Sequence, residues 1–136
     1  MHPNAFQEAI AAIIRNDSRY EPDAYFFLKD ALDFTVKQIS EERKDLVGRH
    51  VSGGELLEGF RDFACEQFGP MAHTVLREWG IKECLDIGHM VFSLINEQVF
   101  GKQDSDCIED FSNIFTFQEA FVDPFLPGEE PMLPSP

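Results

Sequence analysis

Apolar residues recur along this chain at three- and four-residue intervals, the spacing of helices that bury one face, and the intervals between them carry cap and turn residues. Asn4 and Gln7 have capping-box spacing, and Phe6, Ile10, Ile13 and Ile14 outline a first helix ending near Asp17. After a break through Arg19 and Pro22, Asp23 is the expected cap of a longer helix carrying Phe27, Leu28, Ala31, Leu32, Phe34 and Ile39. Tyr25 and Phe26 widen its apolar surface beyond what a solvent-facing helix needs, so it is either central to the core or part of a subunit contact. Residues 40–51 read as a polar connection around Gly48. Ser52 and Glu55 then open a third helix marked by Leu56, Leu57, Phe60, Phe63, Ala64 and Phe68 and stopped at Gly69. Pro70 suits the first turn of a fourth helix with Met71, Val75, Leu76 and Trp79 as its buried stripe and Gly80 as its left-handed terminator.

Only Ile81, Lys82 and Glu83 separate that terminator from a fifth helix, about Cys84 to Gln98, with Ile87, Val91, Leu94 and Ile95 facing inward. Val99–Gln103 and Cys107–Phe111 are apolar flanks around Asp104-Ser105-Asp106, a pattern that suits a short β-hairpin. Three helices followed by a hairpin describe a winged helix. Thr116 and Glu119 have cap spacing for a final short helix that puts Phe117 and Phe121 on one face. From Asp123 onward, five prolines and one glycine in fourteen residues predict an extended tail.

The expected fold is therefore mainly α, five to six helices with a winged-helix-like C-terminal half and a proline-rich tail. In residue terms, 1–122 form one helical domain, with a helical pair over 1–40 and the winged-helix-like part over 52–112; 123–136 form a flexible tail. The motifs Tyr25-Phe26-Phe27-Leu28-Lys29-Asp30-Ala31-Leu32-Asp33-Phe34-Thr35, Gly54-Glu55-Leu56-Leu57-Glu58-Gly59, Phe68-Gly69-Pro70-Met71-Ala72 and Trp79-Gly80-Ile81 together resemble a small uncharacterised bacterial family of conserved hypothetical proteins. The resemblance runs from about Met1 to Phe121 and implies no activity and no site residues.

Composition adds a phenylalanine-rich core and an acidic surface. Fourteen Phe contribute to a 12% aromatic share in 136 residues, more apolar surface than a disordered chain carries. The net charge of -14 is concentrated after residue 50, where four Lys and Arg face sixteen Asp and Glu, and no basic residue follows Lys102. Such a field repels phosphate backbones and anionic membranes and favours basic or neutral partners. Without an apolar run of membrane-spanning length or a basic-then-apolar start, the expected location is the cytoplasm. Cys65, Cys84 and Cys107 sit within hydrophobic patterns and read as buried free thiols.

Candidate chemistry is sparse. Asp86 and His89 stand at i and i+3 on the fifth helix, a metal-ligating spacing that lacks a facing pair. Asp104, Asp106 and Asp110 begin like a calcium loop, but Glu109 replaces the turn glycine and Phe115 the bidentate glutamate. A helix break separates Cys65 from His73, and Ser52-Gly53-Gly54-Glu55 lacks the lysine and preceding strand of a phosphate loop. No catalytic residue, metal or cofactor is assigned. As a recognition helix the fifth helix offers Asp86, His89, Ser93, Asn96, Glu97 and Gln98 and no Arg or Lys, which argues against DNA. The basic residues Lys37, Arg43, Lys44, Arg49 and His50 are nearly cancelled by Glu41, Glu42 and Asp45.

Phe125, Leu126, Met132 and Leu133 are apolar residues between prolines and form the candidate partner-binding segment. The leading expectation is a non-enzymatic protein-interaction or adaptor domain, with a protein partner or a second copy as its target. A small-ligand binder or enzyme whose pocket is assembled from scattered residues is one alternative, and a winged-helix nucleic-acid regulator is the other.

Overall fold

A computed structural model describes residues 5–42, 51–100, 111 and 114–126. Among the described residues five α-helices make the frame: α1 (Ala5–Asn16), α2 (Pro22–Glu42), α3 (Gly53–Phe68), α4 (Ala72–Glu78) and α5 (Cys84–Asn96). A π-helical turn (Gln118–Val122) and a 3-10 turn (Asp123–Phe125) follow. No described helix is long and apolar enough to cross a membrane.

Helix α2 is the centre of the fold. Its inner face buries Ala24, Tyr25, Phe27, Leu28, Ala31 and Thr35, and its most extensive contact is with α3. The Phe27 ring lies within 5.0–5.5 Å of the rings of Phe60, Phe63, Phe68 and Trp79, so one α2 residue binds the aromatic faces of α3 and the end of α4 together. Where α2 crosses α3, Gly59 lets the backbones approach until a Cβ there would overlap Thr35, whose hydroxyl is occupied by donating to the Ala31 carbonyl at 2.7 Å. Helix α1 lies across α2 and α5.

Helix ends follow their cap chemistry. The Ser52–Glu55 box closes reciprocally: the Glu55 amide donates to the Ser52 hydroxyl at 3.1 Å and the Ser52 amide to the Glu55 carboxylate at 3.0 Å. Gly80 terminates the α4 turn at φ 94°, and any side chain there would collide with the Arg19 carbonyl. That close approach lets the Glu21 amide reach the Trp79 carbonyl at 3.1 Å, joining the α1–α2 connection to the end of α4. Helix α2 starts at Pro22, so Asp23 lies inside its first turn and does not cap it; a proline in that position has no amide to leave unpaired. Met71 is 56% exposed in the 3-10 turn Gly69–Met71, outside the buried stripe expected of it; the stripe of α4 is Ala72 and Leu76.

The winged-helix expectation fails. The described residues contain no strand, and the two described ends of the expected hairpin are occupied otherwise. Helix α5 stops at Asn96, Gln98 takes a left-handed φ of 66°, and the amides of Val99 and Phe100 both turn back to the Leu94 carbonyl at 3.1 and 3.3 Å. Those donors close the helix end and are lost to a ladder. Phe111, at the other end, sits in a helical turn with its side chain 1% exposed, pressed on Gly88 and edge-on to Phe92 at 5.9 Å. The described apolar residues on either side of the Asp104–Asp106 run, Val99, Phe100 and Phe111, therefore pack on the helical core. Residues 101–110, the remainder of that hairpin, lie outside the described residues, as do the rest of the 40–51 connection beyond Glu42 up to His50 and the calcium-like Asp104–Asp110 run.

The final helix is realised as a π-helical turn. Thr116 and Glu119 make the expected cap bonds at 3.1 and 3.5 Å, and Phe117 and Phe121 are both buried, their rings edge-on at 4.9 Å. The tail begins with structure: Asp123–Phe125 turn as a 3-10 helix before Leu126 becomes extended, with φ -82° and ψ 136°. Residues 127–136 lie outside the described residues.

Candidate functional site

The C-terminal turn presents the first two of the four residues expected to bind a partner. Pro124 presets the backbone of the turn, the Leu126 amide donates to the Asp123 carbonyl at 3.1 Å, and the Gln118 side-chain amide holds the Asp123 carboxylate at 2.8 Å. On this hydrogen-bonded turn Phe125 is 37% and Leu126 54% exposed. Met132 and Leu133 lie outside the described residues. The turn is tied to the body of the protein through the π-helical turn: the Cys65 thiol of α3 donates to the Ala120 carbonyl at 3.5 Å, and Ala120 and Phe121 are buried.

Beside it, residues 114–119 and the start of α5 border a cleft of about 440 Å³. Apolar Leu85, Ile114, Phe115 and Phe117 line it together with the charged Lys82, Glu83 and Glu119. The Cys84 thiol lines it but donates to the Phe115 carbonyl at 3.2 Å, and burial pushes that thiol up from its ordinary value. Burial likewise raises the Cys65 thiol. Both are free thiols in packed surroundings; Cys107 lies outside the described residues. A cleft lined by both apolar and charged side chains can take a ligand with an apolar body and a polar end.

Of the Asp86–His89 pair, Asp86 is engaged by partners on other segments. Asp86 accepts from the Tyr20 hydroxyl at 2.6 Å through one oxygen, and from the amides of Lys82 and Glu83 at 2.8 and 3.1 Å through the other. It is a clamp that ties the α1–α2 connection to the start of α5, where a negative charge also opposes the positive end of the helix. Burial, then the bond to Asp86, pushes the Tyr20 phenol well above its ordinary value. Next to it the Arg19 guanidinium grips Asp17 with bonds of 2.7–3.1 Å and holds that carboxyl below its ordinary value. Among the described residues, no three His, Cys, Asp or Glu side chains converge as a metal ion would require.

Sequence reasoning singled out Phe125 and Leu126 and missed the cleft. The cleft joins segments some thirty residues apart, 82–85 and 114–119, and no short-range pattern announces that meeting. The Tyr20–Asp86 clamp spans 66 residues and was equally invisible. Comparison of the chain with protein-family models, with curated proteins and with solved structures finds no match.

Proposed function

We propose that this chain is a non-enzymatic protein-interaction domain that uses its C-terminal turn as the contact. The observation that carries this reading is the exposure of Phe125 and Leu126, two large apolar side chains 37% and 54% exposed on a hydrogen-bonded turn of Asp123, Pro124 and Phe125 that Gln118 also contacts. A contact that is already ordered loses little conformational freedom on binding, so apolar burial there converts more fully into affinity. The acidic field around it favours a partner whose apolar groove is rimmed by basic or neutral residues. The cytoplasm is the compartment that suits the free thiols of Cys65 and Cys84.

The test compares the native chain with the Phe125→Asp/Leu126→Asp variant as immobilised baits, followed by rebinding of the purified candidate. A partner that binds the native chain directly and loses affinity about tenfold or more to the variant supports the reading. Partners retained equally by both baits would sink it. The cleft supports a second reading, an apolar small ligand seated over Phe115 and Phe117, which a thermal-shift screen of amphiphilic compounds would expose as a rise in melting temperature abolished by Phe117→Ala.

A further inference from the structure

The outward face of α2 has no role in the core and none in the C-terminal turn, yet its residues form an ordered pattern. At 100° per residue, Phe26 lies mid-face, Lys29, Asp33 and Val36 line one flank, and Asp23, Asp30 and Lys37 line the other. All seven are exposed, with Phe26 at 36%, Val36 at 42% and the Lys29 and Asp33 side chains at 47% and 69%. Phe26 is not isolated: its ring is 5.5 Å from Phe6, which is 6.3 Å from Phe100, so three aromatic rings from α1, α2 and the end of α5 make one apolar spot. The Lys29 ammonium is held over the Phe6 ring at 5.9 Å and beside Asp33 at 3.6 Å.

We propose that this face is a self-association surface on which two copies pack α2 against α2, antiparallel, about a two-fold axis level with Ala31. The argument is charge and shape complementarity of the face with itself. An isologous antiparallel pair sets each flank against the same flank of the other copy, and residues equally far above and below the axis come to the same height. Phe26 and Val36 are equidistant from position 31, as are Lys29 and Asp33, while Asp23 and Lys37 miss by two residues, about 3 Å along the axis. Both ion pairs join residues of one flank, and the axis repeats each pair and each Phe26–Val36 contact twice. The Phe6–Phe26–Phe100 spot receives Val36 of the second copy. One feature opposes the assembly: the two Asp30 carboxylates lie close across the axis. A single helix pair is a small contact, so the dimer belongs to the weak, concentration-dependent class.

Sedimentation velocity on the full chain, from about 10 µM to about 1 mM, spans the range in which such a dimer forms. The expected result is a monomer–dimer equilibrium that Phe26→Asp abolishes and Asp30→Asn tightens. Lys29→Asp and Asp33→Lys each weaken it about tenfold or more, because each places like charges across the axis. Mixing these last two variants restores a heterodimer, because the carboxylate introduced into one chain then faces the ammonium introduced into the other; a pairing within one helix cannot produce that rescue. Far-UV circular dichroism confirms that each variant is folded before its association is read. A strict monomer throughout the range overturns the proposal, as does a dimer indifferent to the α2 substitutions or a mixture that fails to associate. A dimer lost only in Phe125→Asp/Leu126→Asp also overturns it and assigns self-association to the C-terminal turn, whereas failure of the α2 dimer alone leaves the C-terminal reading standing.

Discussion

Adding one methyl group at Gly59 tests whether α2 and α3 cross in close backbone contact. A Cβ at that position would overlap the Thr35 hydroxyl and stand 2.8 Å from Thr35 Cβ and 3.0 Å from its Cγ2, against about 3.5–4.0 Å for relaxed carbon contacts. Neither partner can rotate away, since the Thr35 Cβ is fixed to the α2 backbone and its hydroxyl is bonded to Ala31. The helices must therefore separate by something near 1 Å, loosening the Phe27–Phe60, Phe27–Phe63 and Phe34–Phe63 ring contacts across the same crossing. Overpacking of this kind costs about 1–3 kcal/mol, more where contacts are lost along the helix, while Gly→Ala in a helix interior returns about 1 kcal/mol of propensity. Gly59→Ala is expected to destabilise by a net of about 0–2 kcal/mol, and by more where ring contacts are lost along the helix. Gly54→Ala, in the first turn of the same helix with nothing within 4 Å of its Cβ, is expected to leave stability unchanged or raise it. Urea unfolding of the two variants, with m-values held equal, gives the comparison. A Gly59→Ala protein as stable as Gly54→Ala would refute the close crossing and with it the account of α2 as the central helix.

Three further expectations follow from the same packing. The buried Tyr25 hydroxyl has no hydrogen-bond partner among the described residues, so Tyr25→Phe is expected to stabilise by about 1 kcal/mol or more in thermal unfolding; a loss of stability would show the hydroxyl to be paired. Burial pushes the Tyr25 phenol up to about 12. Because it ionises near pH 10 when unfolded, its contribution is intact below about pH 10 and is lost as pH rises toward 12, an alkaline loss of about 3 kcal/mol that Tyr25→Phe should remove. Asp86→Ala removes the acceptor for Tyr20 and for two backbone amides and is expected to destabilise by about 2–4 kcal/mol. In a double-mutant cycle Tyr20→Phe should then add little, and full additivity would refute the clamp. Phe111→Ala empties the site over Gly88 and should cost about 3–5 kcal/mol, with a loss under about 1 kcal/mol counting against Phe111 as an anchor.

Local chemistry carried much of the architecture. Period, caps and terminators placed all five α-helices within a few residues, because Ser52 with Glu55, Gly69, Gly80 and Pro70 act on neighbours along the chain and owe little to distant packing. The phenylalanine-rich core was legible for the same reason, as apolar residues spaced three and four apart mark helices that bury part of their surface. What failed were inferences about what an apolar residue is buried against. Val99, Phe100 and Phe111 flank a turn as strand residues would, but the first two close α5 and the third docks onto Gly88. Period alone does not separate a hairpin from a chain folded back on a helix.

The sequence by itself determined within a few residues where helices start and stop, that the core is rich in phenylalanine, and that the surface is acidic, since each depends on composition or on contacts within a few residues. Tertiary structure alone decided that α2 is central, that Asp86 serves Tyr20 across 66 residues, and that segments 82–85 and 114–119 line a cleft. It also decided which of α2's aromatic residues are left outside: Tyr25 is fully buried while its neighbour Phe26 remains at the surface. Successive residues on a helix point about 100° apart, so adjacent aromatic rings, even the more polar Tyr25 and the less polar Phe26, meet opposite fates once one face is chosen, and only the packing of the other helices chooses it.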